Sequence, residues 1–271
     1  MEWSKLKNII LLILLCTNLF LLCLVGLRAW NTASYESAAR TDAIQVLARN
    51  GITMDKEALP KDAALSTATV SRDREGEAGL LAPLLGEVTE QALGGGQYRY
   101  TGTLGEAHFR SRGEFSLSLK AEAYPLSGSL ADHAAATLAL IGFDATAITV
   151  EGNGEEGRVL LVQHWADAPI LSCMAEAVYS GGSLTAVTGT RLTGAPSVTG
   201  TAQLSSITGL LRFLELFSDT GDVCSRVTMM QAGYLVSTGP SDPATVTPVW
   251  YFETDTGAYV LDTIANQLKK L

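Results

Sequence analysis

The side chains that most often carry catalysis or hold metals are sparse in this 271-residue chain, which has three histidines and four cysteines. A zinc site needs several such ligands at short, fixed spacing, and a nucleophilic hydroxyl or thiol needs a base beside it. His108, His133 and His164 are scattered and stand in no metal-ligand pattern. His164 lies in a run of strand-forming residues before Trp165, where a hydrogen-bonded structural histidine is the expected role. The glycines of 152–157 (GNGEEG) bring acidic residues to the places where a phosphate cradle needs bare amides, so a hairpin or loop is expected there. No G-x-S-x-G elbow, zincin motif or phosphate-binding loop is present. The chain therefore reads as non-enzymatic, with no catalytic, cofactor-binding or metal-binding residue and no cofactor. An enzyme on this scaffold would need a pocket of convergent polar groups assembled only by folding.

The remaining chemistry is recognition, and it sits at the amino terminus. A short polar head with Trp3, Ser4, Lys5 and Lys7 runs into Ile9–Leu27, whose only ionisable side chains are the thiols of Cys16 and Cys23. At 1.5 Å per residue that stretch is long enough to cross a hydrocarbon layer of about 30 Å. Within it, Asn18 is costly in lipid unless paired. An amide there either bonds across to another helix, for about 1 kcal/mol, or is satisfied by water or its own backbone. Leu11, Leu14, Asn18, Leu22 and Val25 share one helical face.

The elements that must position this helix follow from the flanks. A cleaved leader has a shorter apolar core, whereas Arg28 and Trp30 suit a helix end at the headgroups. Ala29, Ala33 and Ser34 imitate a cleavage site, but the uncleaved anchor is the expectation. Leu15 and Leu22, which precede Cys16 and Cys23, do not fit a lipoprotein box. The positive head predicts a cytoplasmic amino terminus, a single pass and an extracytoplasmic carboxyl-terminal region at the cell membrane.

Setting aside Glu2, Lys5, Lys7 and Arg28, residues 31–271 carry 16 basic and 27 acidic side chains, a balance of −11. That disfavours nucleic acid and anionic lipid as partners of this region. Cys173 and Cys224 allow at most one bridge, and two separate buried thiols are equally consistent with the spacing. A hydrophobic core must hold the fold.

Residues 34–50 are expected to be a helix stopped by Gly51, with Ala39, Ala43, Val46 and Leu47 at helical spacing. Residues 71–77 (SRDREGE) have five charges in seven positions and predict an exposed loop. Segments 97–103, 106–110 and 114–120 alternate as an antiparallel meander. A helix over 129–140, capped by Ser129 or Asp132, precedes strands over 147–151, 158–165, 170–179 and 183–192, with Gly181–Gly182 as a hairpin turn. A further helix over 203–218 precedes strands over 225–230, 233–238, 246–253 and 258–262. VLARNGITMD (46–55) and TLALIGFDAT (137–146) share a helix end, a glycine, one apolar residue and a strand start. The expected class is α+β: one transmembrane helix, then repeated helix-plus-antiparallel-sheet units. The expected divisions are 1–30 for head and anchor, 31–125 for a first unit and 126–271 for a second region.

Residues 1–22 (MEWSKLKNIILLILLCTNLFLL) resemble the amino terminus of YycI-type membrane regulatory proteins of Gram-positive bacteria. The likeness rests on Glu2, Trp3, Ser4, Lys5, Lys7, Asn18, Leu19 and Phe20. Asn50–Ile52 and the terminal Pro248-Val-Trp-Tyr-Phe, Gly257 and Tyr259-Val-Leu-Asp262 are also similar to that family and its YycH relative. Related sheet domains often continue Thr-Gly after the Asp, whereas this chain has Thr263-Ile264-Ala265. The resemblance implies a regulator that contacts the transmembrane region of a cell-wall-controlling sensor histidine kinase, together with a YycH-like membrane protein. Trp3, Ser4, Lys5 and Asn18 are its implied interaction surface. The alternative is a membrane-tethered PepSY-like binding module that inhibits a protease or senses an envelope ligand.

Overall fold

The computed structural model describes the backbone of residues 3–237 and 243–271, and their side chains except those of 3–10, 13 and 26–34. It is an α+β structure with a large open sheet. The chain opens with α1 (Trp3–Arg49), a continuous 47-residue helix. No glycine or proline falls between Leu27 and Asn50, so nothing in the sequence interrupts it there. The stretch expected as an anchor and the helix expected over 34–50 are therefore one element. Among the described residues, no helix is long and apolar enough to cross a membrane.

Gly51 ends α1 with φ +83°. Its N–H donates to Ala48 O at 3.0 Å, and that of Ile52 reaches back to Leu47 O at 3.2 Å. The end of α3 (Leu130–Ala139) repeats this arrangement: Gly142 donates to Ala139 O and Phe143 to Leu138 O, at 3.0 and 3.1 Å. In both places glycine takes the left-handed conformation, and the next apolar residue folds back into the core. The start of α3 is capped as expected, the Ser129 hydroxyl accepting from Asp132 N–H at 3.1 Å.

One half of the sheet gathers β1 (Thr53–Met54), β2 (Ala63–Val70), β11 (Ser197–Leu204), β12 (Arg226–Ser237), β13 (Ala244–Thr254), β14 (Gly257–Asp262) and β15 (Gln267–Lys270). The last turns of α1, with α4 (Ser206–Thr220), pack on it. Ala43 and Leu47 share a buried cluster with Phe213, Phe217, Trp250, Phe252 and Tyr259. Phe213 stacks on Phe252 with centroids 4.3 Å apart. Outside the core, Arg40 of α1 donates to the carbonyls of Leu59 and Pro60, tying the helix to the chain ahead of β2. α4 begins later than its pattern predicts, because Gln203 and Leu204 pair in β11 with Ala64 and Ala63.

The other half runs through β3 (Thr89–Gly94), β4 (Gln97–Thr101), β5 (Gly105–Phe109), β6 (Glu114–Leu119), β7 (Ala145–Gly152), β8 (Gly157–Trp165), β9 (Ala168–Ser180) and β10 (Ser183–Thr190). The expected meander is β4–β5–β6, all antiparallel. Tyr100, Phe109, Phe115 and Leu117 point into a core closed by α2 (Glu77–Leu85) and α3. β9 and β10 meet at the expected Gly181–Gly182 turn, both glycines at positive φ. The halves join where Ile170 of β9 pairs in parallel with Tyr234 of β12. A small apolar cluster of Ala68, Val70, Ile170, Cys173, Tyr234 and Val246 fills that seam.

The charged run is a loop and turn over 71–76, with Ser71, Asp73, Glu75 and Gly76 exposed as its composition predicts, and it departs from that expectation at its last residue. Glu77 is 1% exposed and opens α2, whose Leu81, Leu84 and Leu85 are fully buried. Cys173 and Cys224 are free thiols in different clusters.

Candidate functional site

Two places are candidates for recognition. The first is the expected helix face. Leu11, Leu14, Asn18, Leu22 and Val25 are all exposed on α1, as are Leu12, Leu15, Leu19 and Phe20. Contiguous exposed apolar surface of this kind makes the helix a candidate contact face. The side chains of Trp3, Ser4 and Lys5, and those of Arg28 and Trp30, lie outside the described residues. The carboxyl-terminal motif belongs to the domain interior: Trp250, Phe252, Tyr259 and Leu261 are buried.

The second place was not foreseen. Where α2 starts, Glu77 meets two arginines. Arg72 grips it with both arms, Nε to Oε1 at 2.7 Å and Nη2 to Oε2 at 3.0 Å. The Tyr100 hydroxyl donates to Oε2 at 2.7 Å. Arg191 follows β10, and its Nη2 stands 3.6 Å from Oε1. Its guanidinium lies over the Phe109 ring, 4.2 Å from the centroid, while Nη1 donates to Leu192 O at 3.0 Å. Burial and the Glu77 bond push the Tyr100 hydroxyl pKa up. Arg191 is held below the usual arginine value, chiefly by burial; the Glu77 charge opposes that shift and the Arg72 charge adds to it.

This cluster borders a cleft of about 320 Å³ between α2, the turn at Ile141–Gly142, the end of β8 and the segment 191–196. Gln163 braces one wall: its Oε1 accepts from Leu192 N–H at 2.9 Å, and its Nε2 donates to Gly142 O at 3.4 Å. Leu80, Ile141, Trp165 and Pro196 supply apolar surface.

The histidines stay apart. His108 accepts from Arg99 Nε at 3.1 Å, and His133 Nδ1 shares a hydrogen bond with the Tyr179 hydroxyl at 2.8 Å. His164 lines the cleft, and its backbone N–H donates to Asp144 O at 2.7 Å. Burial lowers the His133 pKa. Among the described residues no three His, Cys, Asp or Glu side chains gather as metal ligands would. The 152–157 segment is the β7–β8 turn, with Asn153 Oδ1 accepting from the amides of Glu155 and Glu156.

No known protein family matches the chain, and no curated protein does. Among solved structures it is similar to an uncharacterized protein from Eubacterium rectale, with a TM-score of 0.48 and 10% identity over 78% of this chain and 86% of that one. It is also similar to the Bacillus megaterium YpeB C-terminal domain, with a TM-score of 0.30 and 10% identity over 74% of this chain and 99% of that one. These likenesses assign the chain to no family.

Proposed function

We propose that the chain is a non-enzymatic regulatory subunit, anchored in the cell membrane by the first part of α1. On this reading the amino terminus is cytoplasmic and the repeated helix-plus-sheet units are extracytoplasmic. The helix face around Asn18, with the head at Trp3, Ser4 and Lys5, contacts the transmembrane region of a cell-wall-controlling sensor histidine kinase and a YycH-like membrane protein. The observation that supports this most is the continuity of α1: the helix bearing the exposed apolar face ends inside the domain core at Ala43 and Leu47. A domain coupled to its helix without a linker can hold that helix in one orientation. A kinase bundle with two states a few kcal/mol apart is biased by a helix that packs better against one of them.

The test is to replace Leu6–Leu27 with an unrelated single-span helix of equal length. The expected result is loss of co-purification with the kinase, and altered kinase output, while the domain stays folded and anchored. Retained association and output would sink the helix-contact reading.

A second reading is a membrane-tethered binding module that senses an envelope ligand or inhibits a protease, with the helix as a tether only. The cleft beside Arg191 favours it, since a helix-contact protein needs no such cleft.

A further inference from the structure

We infer that the cleft beside α2 binds an organic carboxylate carrying one apolar group. The inference rests on the binding-module reading and names its ligand class.

The charges at the inner end do not cancel. Glu77 is engaged by both arms of Arg72 and by the Tyr100 hydroxyl at hydrogen-bond distance. Arg191 is 8% exposed, and the nearer Glu77 oxygen stands beyond hydrogen-bond range. Two guanidiniums thus face one carboxylate in a largely desolvated place. A buried charge is costly unless paired and hydrogen-bonded. Burial accordingly depresses the Arg191 pKa. A guanidinium has five N–H donors in a planar fork that matches a carboxylate. Among the described residues Arg191 uses one of them in a hydrogen bond, to Leu192 O. The Phe109 ring lies against the guanidinium, its centroid 4.2 Å from Cζ.

The other polar side chains lining the cleft, besides Glu77, are Gln163, Asp73, His164 and Thr193. Both ends of the Gln163 amide are occupied within the wall. Asp73 is exposed at the rim, and its Oδ1 accepts from Gly76 N–H at 3.0 Å. Leu80, Ile141, Trp165 and Pro196 add apolar surface beside these polar groups, which favours an anion carrying an apolar group over a bare inorganic one. The volume is at the small end of ligand pockets, which run from about 300 to 1,000 Å³. It suits a single residue-sized group.

Such a carboxylate is the free end of a peptide or a short fatty acid. Calorimetry on the full chain in detergent would compare N-acetyl-L-phenylalanine with hexanoate, each against its neutral amide, and both against inorganic phosphate. We expect at least one carboxylate to bind at least about tenfold more tightly than its amide and than phosphate. Binding of the phenylalanine derivative alone assigns peptide ends, and binding of hexanoate alone assigns fatty acids. Arg191→Gln and Leu80→Trp are each expected to weaken binding by at least about tenfold, the first by removing the fork and the second by filling the cleft. Leu80 is only half-buried, so if Arg191→Gln fails to fold, Leu80→Trp decides. The inference is overturned if neither carboxylate binds up to about 1 mM, if amide or phosphate binds equally well, or if folded Leu80→Trp binds like the native chain. The helix replacement tests the binding-module reading, which needs the helix only as a tether, and leaves the cleft residues unchanged, so failure of this inference and failure of that reading are separable.

Discussion

Arg72 and Glu77, five residues apart in the most charged run of the chain, form a two-armed ion pair at 2.7 and 3.0 Å. Both side chains are largely removed from solvent. The pair connects the loop ahead of α2 to the helix start, and through the Tyr100 hydroxyl it reaches the sheet. Breaking a buried pair by removing one charge is far costlier than its net contribution suggests, because the other charge is left behind.

Glu77→Gln should therefore destabilise the fold by about 3–5 kcal/mol, since two guanidiniums would remain without a counter-charge. Urea denaturation followed by circular dichroism measures this. A loss under about 1 kcal/mol would mean that Arg72 and Arg191 turn out to water, as exposed pairs do.

Gly209→Ala should destabilise, although alanine is the better helix former by about 1 kcal/mol. A Cβ at position 209 would stand 2.5 Å from Trp250 Cδ1 and 2.6 Å from Nε1. Trp250 is fully buried and cannot retreat. Overpacking of this kind costs about 1–3 kcal/mol, enough to exceed the propensity gain. A raised melting temperature would refute the close approach of α4 to β13.

How much of this was legible depends on where the charges went. Alternation in Phe115, Leu117 and Leu119 gave β6, and the turn at Gly181–Gly182 gave the β9–β10 hairpin, because period and turn chemistry are local. α2 was hidden because each charge of 71–77 counts as solvated until its partner is known. The signal that could have revealed it is Leu80 with Leu84 and Leu81 with Leu85, two i,i+4 pairs just beyond the run. Arg191 could not be recognised as a site residue, since its contacts with Glu77 and Phe109 cross more than 80 residues of chain and only the folded sheet supplies them.

Cys173 and Cys224 should resist thiol reagents in the native state. Burial pushes the first thiol up to about 12 and the second up to about 11, so little thiolate is present at pH 8. In a Cys16→Ser, Cys23→Ser background, labelling with an aromatic disulfide should be slow until denaturant is added. Rapid stoichiometric labelling of the native chain would contradict the packing at the seam and beneath α4.

Asp255 gives an acid-side dependence. The Ser225 hydroxyl donates to its Oδ2 at 2.6 Å, and the amides of Ser225 and Arg226 reach Oδ1 at 3.0 and 3.2 Å. The hydroxyl bond, with the backbone amides behind it, holds the carboxyl below its ordinary value of 3.8. A depressed folded value means that the contribution is complete above 3.8 and is lost as pH falls from there through the folded value. Asp255→Asn should lower the melting temperature at neutral pH, and the gap from the native chain should narrow as pH falls below 3.8. A gap independent of pH would assign the effect to shape instead of charge.

The unbroken run of α1 makes the two ends of the helix share a phase. At about 100° per residue, Asn18 and Leu47 fall within roughly 20° of the same azimuth, so the face bearing the amide is the face that enters the core. On the proposed regulatory reading the domain then acts like a key on a shaft, setting the compass bearing of the amide. One residue inserted near position 32 should turn Asn18 by about 100° with domain and apolar segment unchanged, whereas seven should restore its bearing to within about 20°. If kinase association is lost with one added residue and recovered with seven, the domain works by aiming the helix. Equal association for both would show that the bearing is irrelevant.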